Sequence, residues 1–164
     1  TNPFLYLIGT KATIKFFQFP LLITAITFFI GLLKYLEQPE SFTLKFIAFL
    51  AIFVFALSSP LIFFFFNYLS ADKNYYLKLS RGHDEFVYGT NTDKKVYEKN
   101  NIDQIVAFGV SNTRSLWREC EIFIITFQDG EHIRFTSLLI KGSTFREKFP
   151  ENQIKEQRKF FPKI

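Results

Sequence analysis

The sequence predicts an α+β membrane protein in two parts: a hairpin of two transmembrane helices, then a small antiparallel β domain closed by a C-terminal helix. Three observations predict it. Phe46 to Phe66 is a run of twenty-one residues without a charge, ending in four consecutive phenylalanines, and about 20 apolar residues carry a helix across the hydrocarbon core. Phe16 to Leu33 is a second uncharged run, separated from the first by a short polar stretch around Lys34 to Ser41. After Ser70 the pattern changes to short alternating runs broken by turn residues, which is the period-two signature of half-buried strands.

Residues 1–70 therefore read as the membrane hairpin, with spans at about 14–34 and 45–68. Two neighbouring segments in lipid satisfy their backbone groups as helices packed against each other. Ahead of the first span, Phe4, Leu5, Tyr6, Leu7 and Ile8 precede Lys11 and Lys15, a pattern that fits an interfacial segment or an extension of the first helix. In the second span Pro60 follows Ser58 and Ser59; proline removes an amide donor and predicts a kink, with a serine hydroxyl partly satisfying the freed carbonyl. Between their flanking lysines, over Phe16 to Leu33 and Phe46 to Phe66, neither span contains Asp, Glu, Lys, Arg or His, which argues against a proton-driven motor or carrier. The few polar residues argue equally against a pore.

Lys11, Lys15, Lys73, Lys78 and Arg81 flank the hairpin ends, against Lys34 and Lys45 in its loop. This bias places both termini in the cytoplasm and the protein in the cytoplasmic (inner) membrane. No A-x-A-like site follows the first apolar run, so the first helix is expected to stay in the mature protein. Methionine is absent even from position 1, which reads as a removed initiator.

Residues 71–164 are long enough for one modest core. Strands are predicted near Tyr75–Arg81, Glu85–Tyr88, Lys95–Glu98, Ile102–Val110, Glu121–Gln128 and His132–Leu138. Asp129-Gly130, between two apolar runs, predicts a tight type I′ hairpin. Arg81 to Asp84 and Gly89 to Asp93 read as earlier turns. Thr144-Phe145-Arg146-Glu147 resembles a capping box, with Phe145 and Phe149 one helical turn apart. Beyond Pro150, residues Glu151 to Phe161 read as a second short helix with Ile154 and Phe161 on one face.

The net charge of +5 divides into +2 over residues 1–70 and +3 over 71–164. So mild an excess is no nucleic-acid signature, but it suits a domain held near anionic headgroups. Cys120 is the single cysteine, so no internal disulfide forms, and Glu119 and Glu121 beside it raise its thiol pKa, the wrong direction for a nucleophile. His83-Asp84-Glu85 is the one cluster of metal-ligand types. It lacks the spaced partners that three or four converging ligands require. No hydrolase, phosphate-loop, dinucleotide or zinc-protease motif occurs, so no catalytic residue, metal or cofactor is expected. Trp117, between Arg114 and Arg118, reads as a packing residue before a ligand platform.

The residues that invite a contact are Lys155, Arg158, Lys159, Phe160 and Phe161. As an amphipathic helix this segment either lies on an anionic membrane surface or meets a partner; the alternative is that its Phe and Ile side chains pack on the sheet and its charges face water.

The stretch Lys94-Lys95-Val96-Tyr97-Glu98-Lys99-Asn100-Asn101-Ile102-Asp103-Gln104-Ile105, a strand leading into an "Asp or Asn, Ile, two residues, Ile" step, resembles bacterial membrane-anchored pleckstrin-homology-like (PH-like) domain proteins. The order of hairpin, β-rich module and closing helix is similar to theirs. That resemblance implies a curved sheet or partial barrel capped by a helix, acting as a binding platform and not as an enzyme. The expected function is a non-enzymatic accessory or assembly subunit of a larger membrane complex, with the PH-like domain binding protein; the alternative is a module that senses anionic lipids. Expected partners are membrane lipids and a membrane protein or a second copy of the chain, with no nucleic acid.

Overall fold

A computed structural model describes residues 4–6, 10–41, 43–79, 84–111, 118–149, 153–159, 162 and 164. The two apolar runs become α1 (Thr10–Glu37) and α2 (Leu44–Asp72), joined by a 3-10 turn at Pro39–Ser41. Thr43 caps α2, its hydroxyl accepting from the Phe46 amide. Both helices carry an internal proline. Pro60 deprives the Ala56 carbonyl of its helical donor, and the Ser59 hydroxyl supplies a substitute at 3.1 Å; the helix runs on to Asp72.

The remaining elements form two four-stranded sheets. The first has the order β1 (Phe4–Tyr6), β2 (Tyr75–Leu79), β3 (Glu85–Thr90), β4 (Lys94–Glu98). The second has the order β7 (His132–Thr136), β6 (Ile122–Phe127), β5 (Ile102–Val110), β8 (Ile154–Lys159). All pairings are antiparallel except β5 with β8. One short helix, α3 (Gly142–Lys148), lies between β7 and β8.

The six strands expected after residue 71 are present within a residue or two over the described positions. Expectations are corrected in three places. The segment read as interfacial or helical contains β1, which pairs with β2 in the register Phe4 to Leu79. The turn at Asp129-Gly130 is not type I′, which needs positive φ at both central residues: Gly130 alone is positive, at +84°. The Gly130 amide donates to the Phe127 carbonyl and the Glu131 amide to the Asp129 carboxylate. This is a type I turn closed by a left-handed glycine, the three-residue hairpin solution.

The third correction concerns the C-terminus. Thr144 lies inside α3, whose N-cap is Lys141 without a side-chain hydrogen bond, so no capping box forms. Phe145 and Phe149 do meet, with ring centroids 4.4 Å apart. Beyond Pro150 the chain forms strand β8 where a helix was expected. The segment lacks an apolar face broad enough to hold a helix on the sheet, and the open backbone of β5 offers it a hydrogen-bond ladder instead.

Two hydrophobic clusters hold these layers. The larger lies between the sheets, where Leu77, Leu79, Phe86, Tyr88 and Tyr97 face Ile105, Phe123, Ile125, Phe127 and Phe135, closed by Phe145 and Phe149 of the α3 segment. The smaller covers the opposite face of the second sheet: Leu61, Phe64, Phe65 and Tyr68 of α2 pack on Val110, Ile122 and Leu138. The last turns of α2 are thus sheet cover as well as helix. Of the phenylalanine quartet, Phe64 and Phe65 are buried, whereas Phe63 and Phe66 remain exposed. The polar tie at this junction is Asp72, buried at the end of α2, which accepts from the Thr136 amide at 2.9 Å and the Thr136 hydroxyl at 2.6 Å.

Candidate binding platform

The five residues of β8 from Lys155 to Lys159 are all exposed, so this edge strand presents a basic ridge. Its parallel register puts Lys155, Gln157 and Lys159 beside Val106, Phe108 and Val110, and Arg158 beside Gly109. Alternation then sends Lys155 and Lys159 to the sheet face that also packs on α2. Lys159 Nζ stands 4.2 Å above the Phe108 ring. Arg158 belongs to the other face. The expected contact residues Lys155, Arg158 and Lys159 therefore come from a strand edge and not from one helix face; Phe160 and Phe161 lie outside the described residues, as do His83 and Trp117.

The tail after β8 is fastened to α2. Tyr68 Oη donates to the Pro162 carbonyl at 3.1 Å. Asn67 brackets Ile164, its Nδ2 donating to the carbonyl at 3.3 Å and its Oδ1 accepting from the amide at 3.0 Å.

Near the middle of β8, Arg146 of α3 donates through Nη1 and Nη2 to Glu121 at 3.0 and 2.7 Å, and through Nε to Glu156 at 3.1 Å. Hydrogen bonding to Glu121 raises the guanidinium pKa above its ordinary value. Gly142 makes this approach possible, since a Cβ there would sit 1.6 Å from Glu121 Oε2. At the β4 end, Tyr97 Oη donates to Glu131 Oε1 at 2.9 Å and Lys95 pairs with the other carboxylate oxygen. Burial, then the Glu131 hydrogen bond, pushes the Tyr97 phenol up. Lys99 donates to the Lys148 carbonyl at 3.1 Å over the Phe149 ring, and burial lowers its pKa. The Arg146 group escaped the sequence reading because its members are distant along the chain and carry no motif.

The Cys120 thiol is pushed up to about 12, first by burial and then by Glu119 and Glu121. At pH 8 it is expected to resist alkylation in the folded protein and to react on unfolding. Rapid labelling of the folded chain by iodoacetamide would contradict its burial. Among the described residues no three His, Cys, Asp or Glu side chains gather as a metal site.

Between α1 and α2 runs an apolar groove of about 890 Å³, bordered by Thr24, Gly31, Tyr35, Ala51, Ser58 and Ile62. At the end of the groove near the sheets, Phe17 meets Phe65 edge to face, with centroids 4.7 Å apart.

The sequence model of the PH domain matches residues 5–148, a span that runs from β1 through the hairpin and strands β2 to β7 to the end of α3. The chain belongs to the PH domain family. No curated protein and no solved structure matches it. PH domains are generally non-catalytic modules that bind proteins or lipids. In this PH domain the helical hairpin lies between the first two described strands, and β8 with the basic ridge lies beyond the matched region.

Proposed function

We propose that this PH domain is a non-enzymatic, membrane-anchored binding module and an accessory subunit of a larger membrane protein complex. In this reading α1 and α2 span the cytoplasmic membrane over about residues 14–34 and 45–68, and the sheets stand on the cytoplasmic side as a protein-binding platform. The observation that carries it is the exposure of the hairpin. Both helices are long and apolar enough to cross a membrane, yet in an 18-residue apolar stretch of each only 11% of the residues are buried. An apolar helix pair left bare calls for lipid or for other helices. Because β1 and β2 flank the hairpin and pair in one sheet, both of its ends return to the same platform. The anchor and the platform then move as one piece, as a subunit held at a fixed height above the bilayer requires.

A second reading, recognition of anionic lipid, draws on the placement of Lys155 and Lys159 on the sheet face that packs against α2, with Lys73 directly after that helix. Each basic group near a headgroup layer adds about 1 kcal/mol of attraction.

One experiment separates the two readings. Full-length chain tagged at its N-terminus is extracted from native membranes in mild detergent, and both protein and lipid in the eluate are identified by mass spectrometry. A stoichiometric membrane-protein partner is the expected result. Recovery alone with enriched anionic phospholipid, lost in the variant Lys155→Glu/Arg158→Glu/Lys159→Glu, would replace it with the lipid reading.

A further inference from the structure

We propose that the open edge of β5 is a docking site for an extended segment of a partner protein, and that β8 is its built-in occupant. The partner segment enters parallel to β5 with an apolar residue where Ile154 stands and a carboxylate where Glu156 stands. This deepens the protein-binding reading and rests on it.

The first observation is how little of β8 is embedded. From Lys155 to Lys159 no side chain is buried. The strand is held by its ladder to β5, by Ile154 against the core between the sheets, by the Glu156 contact with Arg146 and by the fastened tail. Among the described strands it is also the one that pairs in parallel, and it lies past Lys148, where the family match ends. Elements with few buried apolar contacts open locally at a free energy far below that of global unfolding.

The second observation is that the receiving side is built without β8. Glu121 holds the Arg146 guanidinium through two hydrogen bonds, and Gly142 leaves room for that pair. When β8 leaves, Arg146 keeps its place beside the β5 edge and offers a fixed cation to an incoming carboxylate. Ile105 and Ala107 remain in the core between the sheets, so β5 stays in position while its outer amides and carbonyls become free for a new strand. Main-chain pairing supplies affinity and alternate side chains supply selectivity; the selecting pair is the Ile154 contact and Arg146. Departure of β8 also frees Asn67 and Tyr68 from the tail, so occupancy of the β5 edge is felt at the end of α2.

The test uses the full chain in detergent and a labelled synthetic peptide with the sequence of residues 153–164. Hydrogen exchange is expected to show the 154–159 amides opening well ahead of those of Ile122–Phe127. Since the chain's own strand competes, the chain carrying Ile154→Asp/Glu156→Lys should bind the peptide about ten-fold or more tighter than wild type. A peptide with Glu156→Lys should lose that gain. The pair Gly109→Cys/Arg158→Cys joins positions in register, and a Cβ at Gly109 meets nothing closer than Glu121 Oε1 at 3.7 Å. When oxidised it should abolish peptide binding, and reduction should restore it. Exchange of 154–159 only in step with β6, or equal peptide binding by the locked and reduced chains, would make β8 a permanent strand. Either result leaves the co-purification of a partner untouched, so the two ideas fail separately.

Discussion

A fragment beginning at Ala71 is expected to aggregate, although it holds seven of the eight described strands. It lacks β1, the outer neighbour of β2. It also lacks Leu61, Phe64, Phe65 and Tyr68, which cover Val110, Ile122 and Leu138. Full burial of such a side chain stabilises by roughly 1.5–3 kcal/mol. Four of them contribute about 6–12 kcal/mol, as much as the whole net stability of a typical domain, about 5–15 kcal/mol. A chain in which residues 18–57 are replaced by a short Gly/Ser linker keeps β1, Phe17 and the last turns of α2, and is expected to be soluble and to melt cooperatively. A soluble, cooperatively melting 71–164 fragment would show that the α2 cover is dispensable.

Asp72→Ala is expected to lower the melting temperature of the full chain in detergent by roughly 5–20 °C. The loss strands the buried amide and hydroxyl of Thr136, both of which donate to Asp72 Oδ2. A buried donor without its partner costs about 1–3 kcal/mol, and each kcal/mol moves the midpoint of a chain this size by about 2–4 °C. Asp72 stands at the C-terminal end of α2, where the helix dipole disfavours a negative charge. Its contacts with Thr136 offset that. Thr136→Val removes the hydroxyl and keeps the amide, so its loss should be smaller, and the double variant should fall short of the sum of the two. Additive losses would mean that the helix and β7 are not coupled through this pair.

How much of this was legible in the residues depends on how local each cause is. The six strands from β2 to β7 announce themselves by alternation and by turn residues placed beside them. The hairpin announces itself by two long uncharged runs. Three features have distant causes. Phe4 to Tyr6 is apolar in any setting, and its strand partner Leu77 to Leu79 lies more than seventy positions away. Residues 154–159 carry one apolar side chain and five polar ones, so no period marks a strand; the edge of β5 decides. The cover supplied by α2 did leave a sign. Ile122-Phe123-Ile124-Ile125-Thr126-Phe127 is almost continuously apolar, as expected of a strand buried on both faces. That sign implied a second layer over β6, and the segment able to supply it was the helix assigned wholly to the membrane. The basic ridge was found by composition, but its shape as a strand edge, and the Arg146 group beneath it, depend on the pairing of β5 with β8.

The position of the hairpin between β1 and β2 also imposes a timetable on synthesis. Phe4 leaves the ribosome long before Leu79, its partner across the sheet. At about 5–20 residues per second the interval is roughly 4–15 s. In the membrane-anchored reading both apolar helices emerge during it and are handed to the bilayer, while β1 waits with its backbone groups unpaired. The first sheet can close only once the hairpin has turned around and delivered β2 to the side on which β1 was left. On that same reading, a chain whose second helix fails to cross would strand its two halves on opposite sides of the bilayer, and completion of the sheet would report that insertion has succeeded.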